Sequence, residues 1–401
     1  MKKLILTALA LIFALALSVS AFAADAPFHI GVCTGTVSQS EDDLRGAEKL
    51  IELYGDVKNG GMIQHITYPD NFMTEMETTI SQIASLADDP KMKAVIVNQA
   101  IPGTTPAFQK LREKRPDILL FAGEAHEDPG TIEPHADLVI NADNIARGYL
   151  IVDAAKKMGA DTFVHISFPR HMSYELLSRR RNIMEVACED LGVKWVFETA
   201  PDPTSDVGIP GAQQFILEKV PAWLDKYGKN AAFFCTNDAH TEPLLKRIAE
   251  LGGYFVEADL PSPLMGYPGA LGIELSDVKG NWPEILKKVE AAVIEKGGAK
   301  RMGTWAYSYG YTNSVALGQL AKELIEKGVT PETLKLKVKD VAEVYSKFTP
   351  GAMWSGSLYT DIATGVKKRN HMLLYQDTYV FGLGYLGMTD VTVPEKYFSV
   401  K

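Results

Sequence analysis

The chain has 401 residues, 46% apolar and 23% charged, ordinary globular proportions and enough for two domains. A formal net charge of −9 argues against nucleic acid or an anionic membrane surface as partner. The three cysteines, Cys33, Cys188 and Cys235, are too far apart for a disulfide framework or a thiolate metal site, so they read as buried free thiols.

Residues 1–24 stand apart from the rest of the chain. Lys2 and Lys3 give a basic start, residues 4–17 are almost wholly apolar, and Ala21-Phe22-Ala23 fits a small-x-small cleavage pattern. This is the signature of a secretory signal peptide, and it predicts a periplasmic mature protein. Without the two lysines the mature chain carries 39 basic against 50 acidic side chains.

From residue 28 the sequence repeats one unit: an apolar run, a polar break, then an amphipathic stretch. That alternation predicts parallel βαβ architecture. The first unit has a strand over 28–33, a small polar loop over 34–40 containing Thr36, Ser38 and Gln39, and a helix over 41–54. A second strand precedes a helix over 73–86. A third strand over 94–97 ends in Asn98-Gln99, a fourth over 118–122 in Gly123-Glu124, and a fifth over 138–140 leads to Asp143-Asn144. The series then restarts. A helix to Gly159 precedes a strand over 162–166, whose polar end holds Arg170 and His171. A helix over 173–191 carries Arg179-Arg180-Arg181, of which at most two can face a cleft. Strands over 194–198, 231–235 and 254–257, with one more over 270–275, alternate with helices over 211–226 and 243–251. Asn237-Asp238 ends the strand over 231–235. A helix over 312–327 and a β-leaning stretch over 370–388 come after an aromatic segment holding Tyr307 and Tyr309.

The fold class predicted is α/β, with two similar doubly wound parallel-sheet domains joined by a multi-strand hinge. The expected division places the first domain at 25–143 and the second at 144–300. Residues 301–401 cross the hinge and return to the first domain. There is no G-x-S-x-G elbow, no phosphate loop and no H-E-x-x-H helix, so no catalytic site is assigned. His126 and His135 share a loop with Glu124, Glu127 and Asp128, but solvated carboxylates are expected there rather than a metal. What repeats is the polar strand end. In a parallel sheet these ends share the carboxyl edge, where ligands bind, and two such edges facing one another form an interdomain cleft. Each polar residue there has two readings, helix cap or ligand contact.

Four stretches carry a resemblance. VINADNIARGYLIVDAAKKMGADTFVHI, SRRRNIMEVACEDLGVKWVFE, AAFFCTNDAHTEPLLKRIAELG and AYSYGYTNSVALGQLAKELIEKG resemble the domain crossing, the following helix, the ligand loop and the hinge helix of type I periplasmic solute-binding proteins. The whole chain resembles an uncharacterised bacterial family with that fold. The resemblance implies Asn237, Asp238, Asp143 and Asn144 as ligand or site-support residues. The other polar strand ends join them as candidates: Thr36, Ser38, Gln39, Asn98, Gln99, Glu124, Arg170 and His171. Tyr307 and Tyr309 are candidates for stacking, as are Tyr68 and Phe72. It also implies a monomer without cofactor, which captures a sugar, nucleoside, amino acid or carboxylate-like solute for an ABC-type permease. The alternatives are a ligand sensor for a membrane receptor and a secreted enzyme on the same fold.

The leader assignment predicts a mature N-terminus at Ala24 or Asp25. N-terminal sequencing of exported protein checks it, and Met1 at that terminus would refute it.

Overall fold

The computed structural model describes residues 25–401; the leader expected over 1–24 lies outside the described residues. The first half follows the repeating unit in five parallel strands. These are β1 (His29–Thr34), β2 (Ile63–Thr67), β3 (Met92–Asn98), β4 (Leu119–Gly123) and β5 (Leu138–Ala142). Every residue of β1, β4 and β5 is buried, as a parallel sheet covered on both faces requires. The covering helices are α1 (Val37–Tyr54), α2 (Met76–Ser85) and α3 (Thr104–Lys114). Helix α1 opens earlier than the sequence predicts because the Thr36 hydroxyl accepts from the Ser38 backbone N–H and caps it. Ser38 and Gln39 therefore lie in its first turn rather than in a loop.

The second half repeats the pattern. After α4 (Asn144–Met158) come β6 (Thr162–Ser167), α5 (Glu175–Leu191), β7 (Lys194–Thr199), α6 (Gly208–Tyr227), β8 (Ala231–Cys235) and α7 (Asp238–Leu251). Strands β7, β6 and β8 pair in that order, all parallel. Single bridges, Ala232 to Tyr254 and Phe255 to Met302, continue the layer. The strand expected over 254–257 is reduced to these bridges. The strand expected over 270–275 is absent. Gly266, at φ 77°, opens a short helix over Tyr267–Leu271 whose first turn takes Pro268. Helix α8 (Trp282–Glu295) comes next, then β9 (Gly303–Trp305).

The last hundred residues do not make a single return. Helix α9 (Tyr309–Glu326) packs on α1, where a side chain on Gly46 would come within 2.5 Å of the Tyr311 carbonyl oxygen. Helix α10 (Val338–Ser346), β10 (Trp354–Thr360) and β11 (Lys367–Gln376) stay with the first half, giving a seven-stranded sheet in the order β10-β11-β5-β4-β3-β1-β2. Only β10 runs antiparallel. The chain then crosses once more. Strand β12 (Thr378–Val380) pairs with β9 and with β13 (Gly384–Tyr385), and the Tyr397 hydroxyl reaches Asp190 of α5 at 2.5 Å. Three crossings thus join two α/β domains, at Asp143, at residues 306–308 and at Asp377.

All three crossings meet at one buried acid. Glu257 accepts from Arg147 Nε at 2.8 Å, from Trp305 Nε1 at 3.0 Å and from Thr378 Oγ1 at 3.1 Å. Arg147 and Glu257 are both fully buried. Burial works against the Arg147 charge, but Glu257 and Asp259 outweigh it and raise its pKa. The remaining guanidinium donors reach Asn144 Oδ1 and the Ala258 carbonyl oxygen. The three cysteines are free and buried, and burial pushes each thiol up to about 12. Among the described residues no helix is long and apolar enough to cross a membrane.

Glu257→Gln keeps the shape and leaves Arg147 without its counter-charge. It should cost about 3–5 kcal/mol in equilibrium urea unfolding. Pairing it with Arg147→Met should recover part of that loss; a single-mutant cost below about 1 kcal/mol would show that the hinge does not rest on this pair.

Candidate functional site

The carboxyl edges of the two sheets face each other. On the second domain, Thr236 follows β8, and its hydroxyl meets Ser167 at 2.7 Å and His171 Nδ1 at 3.2 Å. Asn237 is the cap of α7: its Oδ1 accepts from Ala239 N–H at 3.0 Å. Its Oδ1 is thus used by the helix cap. Asp238 opens the helix with its side chain turned elsewhere. Its Oδ1 is buried and has no hydrogen-bond partner among the described residues. Burial first, then Asp259, Asp42, Asp43 and Glu124, raise its pKa from 3.8 to about 8. Three of those four acids, Asp42, Asp43 and Glu124, belong to the first domain.

The same side holds four arginines, Arg170, Arg179, Arg180 and Arg181. Arg170 grips Asp202 with two bonds of 2.7 and 2.9 Å, so it positions its own loop rather than reaching across. Arg180 bonds Asn144 Oδ1 at 2.6 Å and pairs with Asp259, while its Nε is buried without a hydrogen-bond partner among the described residues. Arg179 turns away to backbone carbonyls of Thr360, Phe398 and Val400. Of the Arg179-Arg180-Arg181 run, only Arg180 points at the cleft; Arg181 lies over the Trp195 and Phe197 rings.

On the first domain, several sequence candidates prove structural. Thr36 bonds Asp70 as well as capping α1, and Gln39 Nε2 donates to the Asp70 carbonyl oxygen at 2.9 Å. Ser38 and Gln39 are exposed at the rim. Asn98 is fully buried and tied inside its own domain, donating to Ser314 at 2.9 Å and accepting from Asn313 at 3.2 Å. Gly123 makes room for this network, since a side chain there would overlap Asn98. Gln99 meets the Tyr68 hydroxyl through its backbone. Asp143 accepts from Ala146 N–H at 2.8 Å and from Ser357 Oγ at 3.1 Å, which makes it a cap at the crossing. Asn144 holds Arg147 and Arg180 together. The Tyr307 hydroxyl donates to the Pro350 carbonyl oxygen at 2.7 Å, and the residue is buried.

Glu124 is different. It sits at φ 43°, a left-handed conformation unusual for a side-chain-bearing residue, and its Oε2 accepts from Ala142 N–H at 2.8 Å. Burial raises its pKa, opposed by bonds from Ala142 and Tyr309. The Tyr309 ring is 1% exposed, with its hydroxyl against this carboxyl.

The sequence reading passes over Asp42, Asp43 and Tyr174 and treats His126 only as a metal candidate. Asp42 accepts from Ser308 Oγ at 2.6 Å at the second crossing. Asp43, 2% exposed, lies beside Gly310. His126 of the first domain stacks on Tyr174 of the second, ring centroids 6.4 Å apart. Asp42 and Asp43 sit in an ordinary-looking acidic helix start, and their inward face becomes visible only once α1 is known to begin at Val37. His126 and His171 are both lowered to about 4, burial first, so both are neutral at pH 7. Among the described residues no group of three or more His, Cys, Asp or Glu is placed to hold a metal ion.

Known proteins share this architecture. A Clostridium difficile 630 protein described as a candidate transcriptional regulator has a crystal structure that superposes with a TM-score of 0.74 at 21% identity, over 88% of this chain and 99% of that one. A sugar ABC transporter structure from Actinomyces odontolyticus ATCC 17982 gives 0.50 at 10% identity, over 75% and 84%. At these identities the likeness is one of fold: two α/β domains of the type I periplasmic-binding-protein kind. Two uncharacterised proteins of Treponema pallidum (strain Nichols) are 40% identical over 210 residues and 47% identical over 178 residues. These matches take in 52% and 44% of this chain and 95% and 80% of the relatives. The family model described as protein of unknown function, DUF3798, matches residues 28–303, and the chain belongs to that family.

Proposed function

We propose that the protein is an exported solute-binding protein that holds a small polar solute between its two domains for uptake by a membrane ABC-type permease. The observation that carries this reading is Asp238. A buried carboxylate oxygen without a partner is costly, and here it lies at a strand end facing the opposite domain. A ligand group donating a hydrogen bond would satisfy it. Thr236 and Asn237 Oδ1 beside it are held by Ser167 and by the helix, while the buried Arg180 Nε has no hydrogen-bond partner among the described residues.

The mechanism is binding without chemistry. The three crossings supply the pivot, and the domains close over the solute. Solute between the domains would replace water at Asp238 and Glu124 and stabilise the closed arrangement. The closed face then becomes the surface a permease reads. Membership in a fold shared with a sugar ABC transporter protein supports this reading, with export resting on the leader expected at residues 1–24.

A thermal-shift panel of sugars, nucleosides, amino acids and small carboxylates and amines should identify a stabilising solute that binds one to one. With that solute, Asp238→Ala should lower affinity about tenfold to a hundredfold, the loss of about 1.5–3 kcal/mol expected for a hydrogen bond to a charged group. Asn237→Ala should do the reverse, costing about 0.5–2 kcal/mol of stability as a lost cap while leaving affinity intact. If both variants move only stability, Asp238 is not a ligand contact. If the solute is chemically converted, the protein is an enzyme.

A further inference from the structure

Arg179 is 2% exposed and sits where three pieces of the chain meet. Its own helix α5 supplies Glu175, one turn earlier, whose carboxylate accepts from Nη1 at 3.1 Å. The first domain supplies the end of β10. There the Thr360 carbonyl oxygen accepts from Nη1 at 3.3 Å, and the Tyr359 ring centroid lies 5.8 Å from the guanidinium carbon. The third piece is the segment after β13, whose Phe398 and Val400 carbonyl oxygens accept from Nη2 at 3.2 Å and from Nε at 3.3 Å. Tyr359 completes the junction by donating its hydroxyl to Glu175 at 2.5 Å.

We propose that residues 395–401 are a strap that holds the two domains closed, with Arg179 as the group that ties it to β10. The inference goes beyond solute binding and does not depend on it. The junction shares no residue with the Glu257 knot, so it restrains the domains independently of the crossings.

The chemistry of the tie is that of a guanidinium. Its planar set of N–H donors reaches four acceptors on three segments at once, which a single lysine ammonium on a flexible stem would not do. Covered by the strap, the Glu175 pair and the bond to Thr360 lie out of water. With the strap lifted, water competes for the same donors, and an ion pair open to solvent holds little.

The strap itself is lightly anchored. After β13 the described chain forms no further strand or α-helix, only 3-10 turns over Met388–Asp390 and Glu395–Ser399. Of residues 389–401 only Tyr397 is buried. Its ring centroid lies 4.9 Å from that of Tyr149 on α4, and its hydroxyl donates to Asp190 on α5. A segment with one buried side chain and no sheet partner can lift away without unfolding the domain beneath it. What its release loosens is a contact with the other domain.

Hydrogen exchange of the mature full-length chain tests this, comparing wild type with Tyr397→Ala, which removes the anchor, and Arg179→Met, which removes the tie. Circular dichroism confirms that each folds. In both variants peptides covering Trp354–Thr360 of the first domain should exchange about tenfold faster, while those of β1 and β3 keep their protection. Small-angle scattering of both should give a larger radius of gyration. If Tyr397→Ala speeds exchange only in 388–401, α4 and α5, the segment is a cover of the second domain and the strap is overturned. An unchanged radius of gyration in both variants overturns it equally. If Arg179→Met speeds exchange throughout, Arg179→Lys replaces it. Unchanged protection of Trp354–Thr360 in that variant refutes the tie.

Discussion

Glu257 is the constraint on which the two-domain structure depends. A carboxylate in a dry interior is tolerated only when its oxygens are filled, and here one donor comes from each of the three crossings: Arg147, Trp305 and Thr378. The charge pair is thus a register device. It fixes the three segments relative to one another where backbone pairing alone would not, because the two sheets share no strand. Helix α4 begins beside it, capped by Asp143, so the position of the whole second domain follows from how this acid is satisfied.

Away from the hinge the domains also touch through polar contacts. Tyr359 on β10 donates to Glu175 at the start of α5 at 2.5 Å, and Arg179 bonds the same carboxylate at 3.1 Å. His126 and Tyr174 stack close by. Tyr359 and Arg179 are themselves buried, at 1% and 2% exposed, within a core that both domains share. Asp238 keeps a bare oxygen while Asn237, its neighbour, does the capping.

The division between legible and hidden follows from distance along the chain. The sequence alone determined the α/β class, the two similar halves, most strand positions and the polar strand ends, because hydrophobic periodicity and strand-to-helix transitions are local signals. It marked Asp238 and Glu124 as strand-end residues for the same reason. It could not separate cap from ligand contact. Asn237 and Asp238 are adjacent polar residues with equal claims, and only side-chain direction, set by the helix beginning at Asp238, distinguishes them.

Tertiary structure alone decided the rest. Residues 378–401 pack with the second domain because Thr378 reaches Glu257, 121 positions earlier, a pairing no local pattern encodes. Arg170, Asn98 and Tyr307 look alike as candidates in sequence, and only the structure shows their partners: Asp202, Asn313 with Ser314, and the Pro350 carbonyl oxygen. Asp42 and Asp43 look like a solvated helix start and turn inward because α9 packs on α1 through Gly46. Local chemistry wrote the elements and their polar ends. Which polar atoms were left over for a ligand depended on which distant partners had already taken the others.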